Sequence, residues 1–285
     1  MKYNNETLGA LALIFAGVFL SFGGVIIRFM ESSSAWQITG YRSITFSLAI
    51  LLYILIKYKK DTPHAFKKIG HSGILIALIL GFSNTCFVWG MSTTTVSNAV
   101  FIMSTGPLFA AICSYFFLKR KIGKKTFIAI AGSMFGITIM FSGGMESSNY
   151  IGNIIILGVP IGFAFQLTLL NYNSHIDFMP ATFLGGVFSS LIGFIFMANL
   201  DISTHDLLLC LFMGAFQVGI GFMLITIGSR YIPPHRAALF LLMEPVLAPI
   251  WAFLGVGEIP GQTEMLSLIH ISEPTRPRLI SYAVF

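Results

Sequence analysis

Long apolar stretches, separated by short polar segments, follow one another along almost the entire chain. A helix that crosses a lipid bilayer needs about 20 mostly apolar residues. Nine stretches are predicted to form such helices, at residues 8–29, 35–56, 72–91, 95–118, 126–143, 151–171, 179–199, 206–229 and 235–256. The stretch from Ser72 to Leu118 carries no charge and is too long for one helix, so a turn is placed at residues 92–95. The pattern predicts an all-α membrane protein.

The composition agrees with this pattern. Hydrophobic residues make up 55% of the 285 residues and charged residues only 10%, whereas a soluble domain carries about 25% charged residues. The loops between the predicted helices are too short for a soluble catalytic domain, so the chain is not expected to be an enzyme. The first stretch is longer than the apolar core of a usual signal peptide and lacks a small-x-small cleavage site before Arg28, which indicates a retained helix.

Basic residues cluster in the loops that follow the second, fourth and eighth predicted helices. Together with Lys2, these loops hold thirteen bases, against Arg28 alone in the opposite loops. Because loops rich in Lys and Arg stay in the cytoplasm, the sequence predicts a multi-pass protein of the cell (inner) membrane with a cytoplasmic N-terminus. The formal net charge of +6 is attributed to this topology, and nucleic acid is not expected as a partner.

Seven residues of the first half recur 138 positions later in the chain. Ala77, Gly81, Gly90, Ala99, Pro107, Ala110 and Ile112 correspond to Ala215, Gly219, Gly228, Ala237, Pro245, Ala248 and Ile250. A duplicated unit of five helices inserts its second copy in the opposite sense, and such inverted repeats hold a substrate near the membrane midplane. The sequence therefore predicts a first repeat at residues 1–145 and a second at residues 146–263.

Two segments, in the fourth and ninth predicted helices, carry related motifs, and the first of them extends to Leu118. They run from Ser97-Asn98-Ala99 through Gly106-Pro107-Leu108, and from Arg236-Ala237-Ala238 through Glu244-Pro245-Val246-Leu247-Ala248-Pro249 to Gly257-Glu258-Ile259-Pro260. With Arg42 in the second predicted helix, they resemble the EamA-type family of the drug/metabolite transporter superfamily. The resemblance implies ten helices, two cytoplasmic termini, a central cavity, and export or exchange of small metabolites such as amino acids. One departure is Lys119-Arg120, where the family usually closes the fourth helix with a Gly-Glu pair.

The C-terminal tail does not match the tenth helix that the repeat requires. Residues 264–280 hold two prolines and four charges, and charges are costly at the centre of a bilayer. One interpretation is a genuine extracytoplasmic extension of a nine-helix variant. The favoured interpretation is that the chain becomes foreign or out of frame from about Leu266. The predicted fold is thus two inverted five-helix repeats whose tenth helix is missing, with a non-native tail at residues 264–285.

Two charged residues inside apolar stretches are the first candidates for substrate binding. Glu244 stands where the first repeat has Gly106, and it could bind an amine or carry a coupling proton. Arg42 could grip a carboxylate or phosphate with its planar fork. The alternatives are an ion pair between the two residues, a helix cap made by Glu244, or an Arg42 side chain that reaches the membrane interface.

Polar and bend-forming residues complete the candidate site. Asn84, Trp89, Gln166 and Gln217 are predicted to contact substrate, with hydrogen bonding between helices as the alternative. Pro107, Pro245 and Pro160 are predicted to kink their helices, either to shape the cavity and its gates or as features of packing alone.

These observations favour secondary transport by alternating access. The expected partners are a small-molecule substrate, the lipid bilayer, a coupling proton and a second copy of the chain in a homodimer. The spacing of histidines and cysteines shows no metal-binding pattern, and no Walker A motif is present, so neither a metal nor another cofactor is expected. The alternatives are a membrane-embedded enzyme that acts on lipid-linked substrates, and a receptor or scaffold that transports nothing.

Overall fold

The computed structural model describes residues 2–119, 123, 127, 128, 131, 132 and 150–257. Within these residues the secondary structure is helical, and eight helices are long and apolar enough to cross a membrane. We label them α1 to α8; they are Asn5–Arg28, Ala35–Lys68, Gly70–Thr93, Asn98–Leu118, Ile151–Tyr172, Met179–Phe196, Thr204–Gly228 and Pro234–Val256. This confirms eight of the nine predicted spans. The fifth predicted helix and the tail lie outside the described residues, so α5 to α8 correspond to the sixth to ninth predicted helices.

Four of these helices are interrupted within the membrane span. They are the first and the fourth described helix of each half, and their segments are Lys2–Leu20 and Gly23–Arg28 in α1, Val96–Met103 and Gly106–Leu118 in α4, Tyr150–Ile156 and Gly158–Tyr172 in α5, and Pro234–Phe240 and Met243–Val256 in α8. Because equivalent helices are interrupted in both halves, the interruptions belong to the repeated unit rather than to one accident of sequence.

A proline follows three of the four interruptions. Pro107, Pro160 and Pro245 lie in the first turn of the second segments of α4, α5 and α8. Proline is tolerated there because the first N–H groups of a helix have no partner inside that helix. The residue before each second segment keeps right-handed helical backbone angles, so each interruption is a local kink across which the chain continues in the same helical sense.

The halves pack most closely where α2 of the first half crosses α6 of the second. A Cβ atom added to Gly193 in α6 would meet the backbone N and Cα of Gly40 in α2. Next to this approach, the hydroxyls of Ser43 and Ser189 lie 3.0 Å apart, and Ser190 Oγ donates to the Gly40 carbonyl at 3.2 Å. Small residues and interhelical hydrogen bonds of this kind hold helices together in lipid, where burial of apolar surface no longer drives association.

Hydrogen bonds also join the halves at the two ends of α2. At its start, Gln37 Nε2 donates to Asn199 Oδ1 at 2.8 Å and to the Asp201 carbonyl at 2.7 Å. At the other end of the bundle, the Asp177 carboxylate accepts hydrogen bonds from Lys57 and from the Tyr58 hydroxyl. Burial alone would raise the pKa of Asp177, but these hydrogen bonds outweigh it and hold the pKa below its usual value. We call this zone the α2–α6 seam.

Replacing Gly193 with alanine tests the seam. The added methyl group has no space against Gly40, so the substitution is expected to destabilise the protein by about 1–3 kcal/mol, as other overpacked contacts do. Thermal unfolding of the purified protein in detergent measures the change. The matched control is Gly106→Ala, because a Cβ atom there would have its nearest neighbour 4.0 Å away, at Pro160 Cβ. Equal unfolding temperatures for both variants would contradict the close approach.

Candidate functional site

A cavity lies where the interrupted helices α1, α4, α5 and α8 meet α2, α3 and α7. It has an empty volume of about 360 Å³, and we call it the central cavity. Its walls are formed by Leu20, Arg42, Ser83, Asn84, Phe87, Met103, Val159, Phe163, Gln217, Val218, Phe222 and Glu244.

Arg42 supplies the positive charge of the central cavity. Its side chain is 1% exposed, so it does not reach the membrane interface. Nη2 donates to Asn84 Oδ1 at 2.8 Å and to the Asn84 carbonyl at 3.2 Å, and Cζ lies 5.6 Å from the centre of the Phe87 ring. Nε is buried without a hydrogen-bond partner among the described residues. The guanidinium group is thus held in place by neutral groups, and its Nε–H group remains available to donate a hydrogen bond to a ligand.

Glu244 supplies the acidic group of the same cavity. It lies in the first turn of the second segment of α8 and is 8% exposed. In the part of the chain that the structure describes, no group donates a hydrogen bond to its carboxylate, and no Arg or Lys nitrogen lies within 4.0 Å of it. The ion pair with Arg42 that the sequence left open is therefore absent. A basic and an acidic side chain therefore line one cavity without pairing with each other.

Two amide side chains add further hydrogen-bonding capacity. Gln217 lies in a π-helical segment of α7, Met213–Val218, and its Nε2 donates to the Leu20 carbonyl at 2.9 Å, next to the interruption of α1. Among the described residues, neither Gln217 Oε1 nor Asn84 Nδ2 has a hydrogen-bond partner. A π-helical segment is uncommon and is frequently found at functional sites. Here the π-helical segment carries the amide of Gln217 on the wall of the central cavity.

Two of the predicted contact residues lie elsewhere. Trp89 packs against Trp36, with ring centres 5.5 Å apart, and lines neither this cavity nor the second cavity described below. Gln166 is fully buried in α5, and within the described part of the chain neither atom of its amide has a hydrogen-bond partner. It also lies outside the walls of both cavities. Their predicted role in binding finds no support in this geometry.

Several wall residues could not be singled out from the sequence. Phe87, Phe163 and Phe222 face the cavity, yet 28 phenylalanines occur in the chain and most apolar positions are equally consistent with contact to lipid. Ser83 was equally inconspicuous, although its neighbour Asn84 was a candidate. A helical wheel drawn through Asn84 and Arg42 would have pointed at some of these positions, because residues three or four apart share a helix face.

A second cavity adjoins the first one. It has an empty volume of about 460 Å³, and we call it the apolar cavity. Its walls are Met103, Gly106, Pro107, Val159, Pro160, Phe163, Ala164, Leu167, Ala238, Leu241, Leu242, Glu244 and Pro245. All three prolines that were predicted to bend helices therefore border it. Within the described residues no group of His, Cys, Asp and Glu is arranged to hold a metal ion.

Comparison with known families identifies the repeat. The family model described as "EamA-like transporter family" matches twice, at residues 7–142 and at residues 150–271. The two matches follow one another along most of the chain. They fall on the two halves that the interrupted helices relate to each other.

Curated relatives are transporters by name. An uncharacterized transporter, YetK of Bacillus subtilis, is 26% identical over 86% of this chain and 79% of its own length. A second one from Bacillus subtilis, YdfC, is 24% identical over 83% of this chain and 79% of its own. An S-adenosylmethionine uptake transporter of Rickettsia bellii is 24% identical over 81% of this chain and 79% of its own.

The fold is also known from experiment. A protein of known crystal structure superposes on this chain with a TM-score of 0.72 and 12% sequence identity, and the match covers 99% of each chain. At this identity the similarity bears on the fold alone. It supports the all-helical fold with two repeats.

Proposed function

The chain belongs to the EamA-like transporter family, and we propose that it is a secondary transporter for a small zwitterionic metabolite of the amino-acid type. The proposal includes export or exchange by alternating access, a location in the cell inner membrane, and a cytoplasmic N-terminus. Membership of the family and the membrane-spanning helices support a multi-pass membrane transporter. The substrate class rests on the central cavity.

One observation carries the substrate class: the basic side chain of Arg42 and the acidic side chain of Glu244 line the same cavity and are not paired with each other. An uncompensated charge inside a membrane protein is costly. A zwitterion compensates both charges at once, because its carboxylate suits the planar fork of Arg42 and its ammonium group suits the carboxylate of Glu244. A substrate with a single charge would leave one of the two residues unpaired.

The name of one relative agrees with a zwitterionic cargo. S-adenosylmethionine, which the Rickettsia bellii relative takes up according to its name, contains the ammonium and carboxylate groups of an amino acid. Apolar side chains such as those of Phe87 and Phe163 also line the central cavity, and they suit the carbon skeleton of such a molecule.

The interruptions and the seam suggest how access alternates. The α2–α6 seam joins the halves at both ends and in the middle, so we propose that it acts as the fixed axis of the movement. The cavities are bordered by the interrupted helices α1, α4, α5 and α8. Their interruptions would absorb the change of backbone angles when a gate opens. A coupling proton would bind the Glu244 carboxylate when the ammonium group has left.

Metabolite release tests the proposed function. Cells that overexpress the chain, cells with an empty vector and cells that express Arg42→Ala are compared by mass spectrometry of the medium. The proposal predicts that one or a few amino-acid-type zwitterions accumulate in the medium of the first culture alone. An unchanged medium together with altered lipid composition would contradict transport and would favour a membrane-embedded enzyme. Equal release by wild type and Arg42→Ala would contradict the site.

A further inference from the structure

The apolar cavity and the central cavity share part of their walls. Met103, Val159, Phe163 and Glu244 border both cavities. Glu244 therefore stands at the junction, with the polar partners Arg42, Asn84 and Gln217 on the central side only. A molecule held at Glu244 can extend into either space.

We propose that the apolar cavity is a separate subsite that takes the side chain of the zwitterion, and that the transporter selects substrates with a bulky aliphatic or aromatic side chain. This inference rests on the proposed function, because it assumes a zwitterion bound between Arg42 and Glu244. It adds a second binding space with its own chemistry and thereby narrows the substrate class.

The geometry of an amino acid leads to this assignment. Its ammonium group, carboxylate and side chain all leave from one carbon atom. With the carboxylate directed to Arg42 and the ammonium group at Glu244, that carbon lies beside the junction of the two cavities. The polar groups of the central cavity suit the carboxylate, so the side chain has the apolar cavity as its remaining space.

The walls of the apolar cavity are suited to such a side chain. Among the described residues that line it, Glu244 has the one polar side chain, and the others are glycine or apolar. A polar side chain placed there would lose its hydrogen bonds to water without replacement, whereas an apolar one would gain from leaving water. Full burial of a side chain such as that of leucine or phenylalanine is expected to improve binding about tenfold to a hundredfold.

Small residues in the wall leave room for the apolar cavity, and a larger side chain at one of these positions would fill it. Ala238 in α8 and Ala164 in α5 present only a methyl group to the cavity. A phenylalanine in place of Ala238 would fill much of the space without touching Arg42 on the wall of the central cavity.

Binding of a graded series of amino acids tests the subsite. The purified full chain in detergent is titrated with alanine, leucine, phenylalanine and glutamine, and the dissociation constants are obtained from the rise in unfolding temperature. Leucine and phenylalanine are expected to bind about tenfold or more tightly than alanine, whereas glutamine, which is similar in size to leucine but polar, binds no better than alanine. In Ala238→Phe the ratio of the affinities for leucine and alanine is expected to fall from about ten or more to about one.

A second variant keeps the test decisive if Ala238→Phe does not fold. Leu241→Ala enlarges the apolar cavity and is expected to shift the preference from leucine towards phenylalanine. Equal affinities for alanine, leucine and glutamine in the wild type would overturn the subsite and leave the zwitterion site standing. Failure of all four amino acids to bind would overturn the proposed function itself. Unchanged selectivity in both variants would also overturn the subsite.

Discussion

Replacement of Arg42 with alanine is expected to reduce transport by at least about thirtyfold. The substrate carboxylate would lose its charge-assisted hydrogen bonds inside a protein that excludes water, and the loss of one partner of a buried charge pair costs about 2–5 kcal/mol. Each 1.4 kcal/mol corresponds to about a factor of ten. Uptake or release of the labelled substrate by proteoliposomes measures the effect.

Two further variants, one at Arg42 and one at Arg236, separate an effect on substrate binding from an effect on folding. Arg42→Lys keeps the charge but loses the fork that holds Asn84, so it is expected to retain weak transport and a monodisperse protein. Arg236→Ala is the matched control, because this arginine is 41% exposed and lies near Glu6, away from the cavity. Wild-type transport by Arg42→Ala at equal expression would remove Arg42 from the site.

Replacement of Glu244 with glutamine is expected to reduce transport to a similar degree. The substitution keeps the shape of the side chain and removes the charge that attracts the ammonium group. The expected loss of binding free energy is again about 2–5 kcal/mol, because Glu244 is 8% exposed and its carboxyl group has no partner among the described residues. If a proton shares this carboxylate with the substrate, the residual transport of Glu244→Gln is expected to be independent of pH, unlike that of the wild type.

Glu6→Gln is the control for this substitution. Its carboxylate is 49% exposed and lies 3.9 Å from Arg236, so its charge is screened by water and the variant is expected to transport normally. A comparable loss of transport in Glu6→Gln and Glu244→Gln would mean that the loss does not come from substrate binding at Glu244. Full activity and unchanged pH dependence of Glu244→Gln would show that the ammonium group binds elsewhere.

The positions of the helices could be predicted from the sequence because the solvent of the protein imposes them. A span of about 20 apolar residues has few other ways to satisfy its backbone in lipid. For this reason the stretches that contain Arg42 and Glu244 could be recognised as helices despite their charges. The prolines were predicted to kink their helices, and Pro107, Pro160 and Pro245 each lie just after an interruption of a helix.

The site itself could be predicted only in part. Charges and amides in an apolar stretch are conspicuous, and Arg42, Asn84, Gln217 and Glu244 do meet in one cavity. Trp89 and Gln166 were equally conspicuous but lie outside it, because the helix face on which a residue lies depends on packing with distant parts of the chain. The apolar cavity left no trace in the sequence, since a wall of alanine, leucine and proline resembles any other apolar surface.

The central claim is that Arg42 and Glu244 bind the two opposite charges of one molecule, and chemically modified substrates test it most directly. Binding of leucine, leucine methyl ester and N-acetyl-leucine is measured on the same purified protein. The ester lacks the carboxylate charge and the acetyl derivative lacks the ammonium charge. We predict that leucine binds at least about thirtyfold more tightly than either derivative. In Glu244→Gln the affinity of leucine is expected to approach that of N-acetyl-leucine, whereas the ratio of the affinities for leucine and its methyl ester stays the same. Equal binding of all three compounds, or equal effects of the substitution on both derivatives, would contradict the claim.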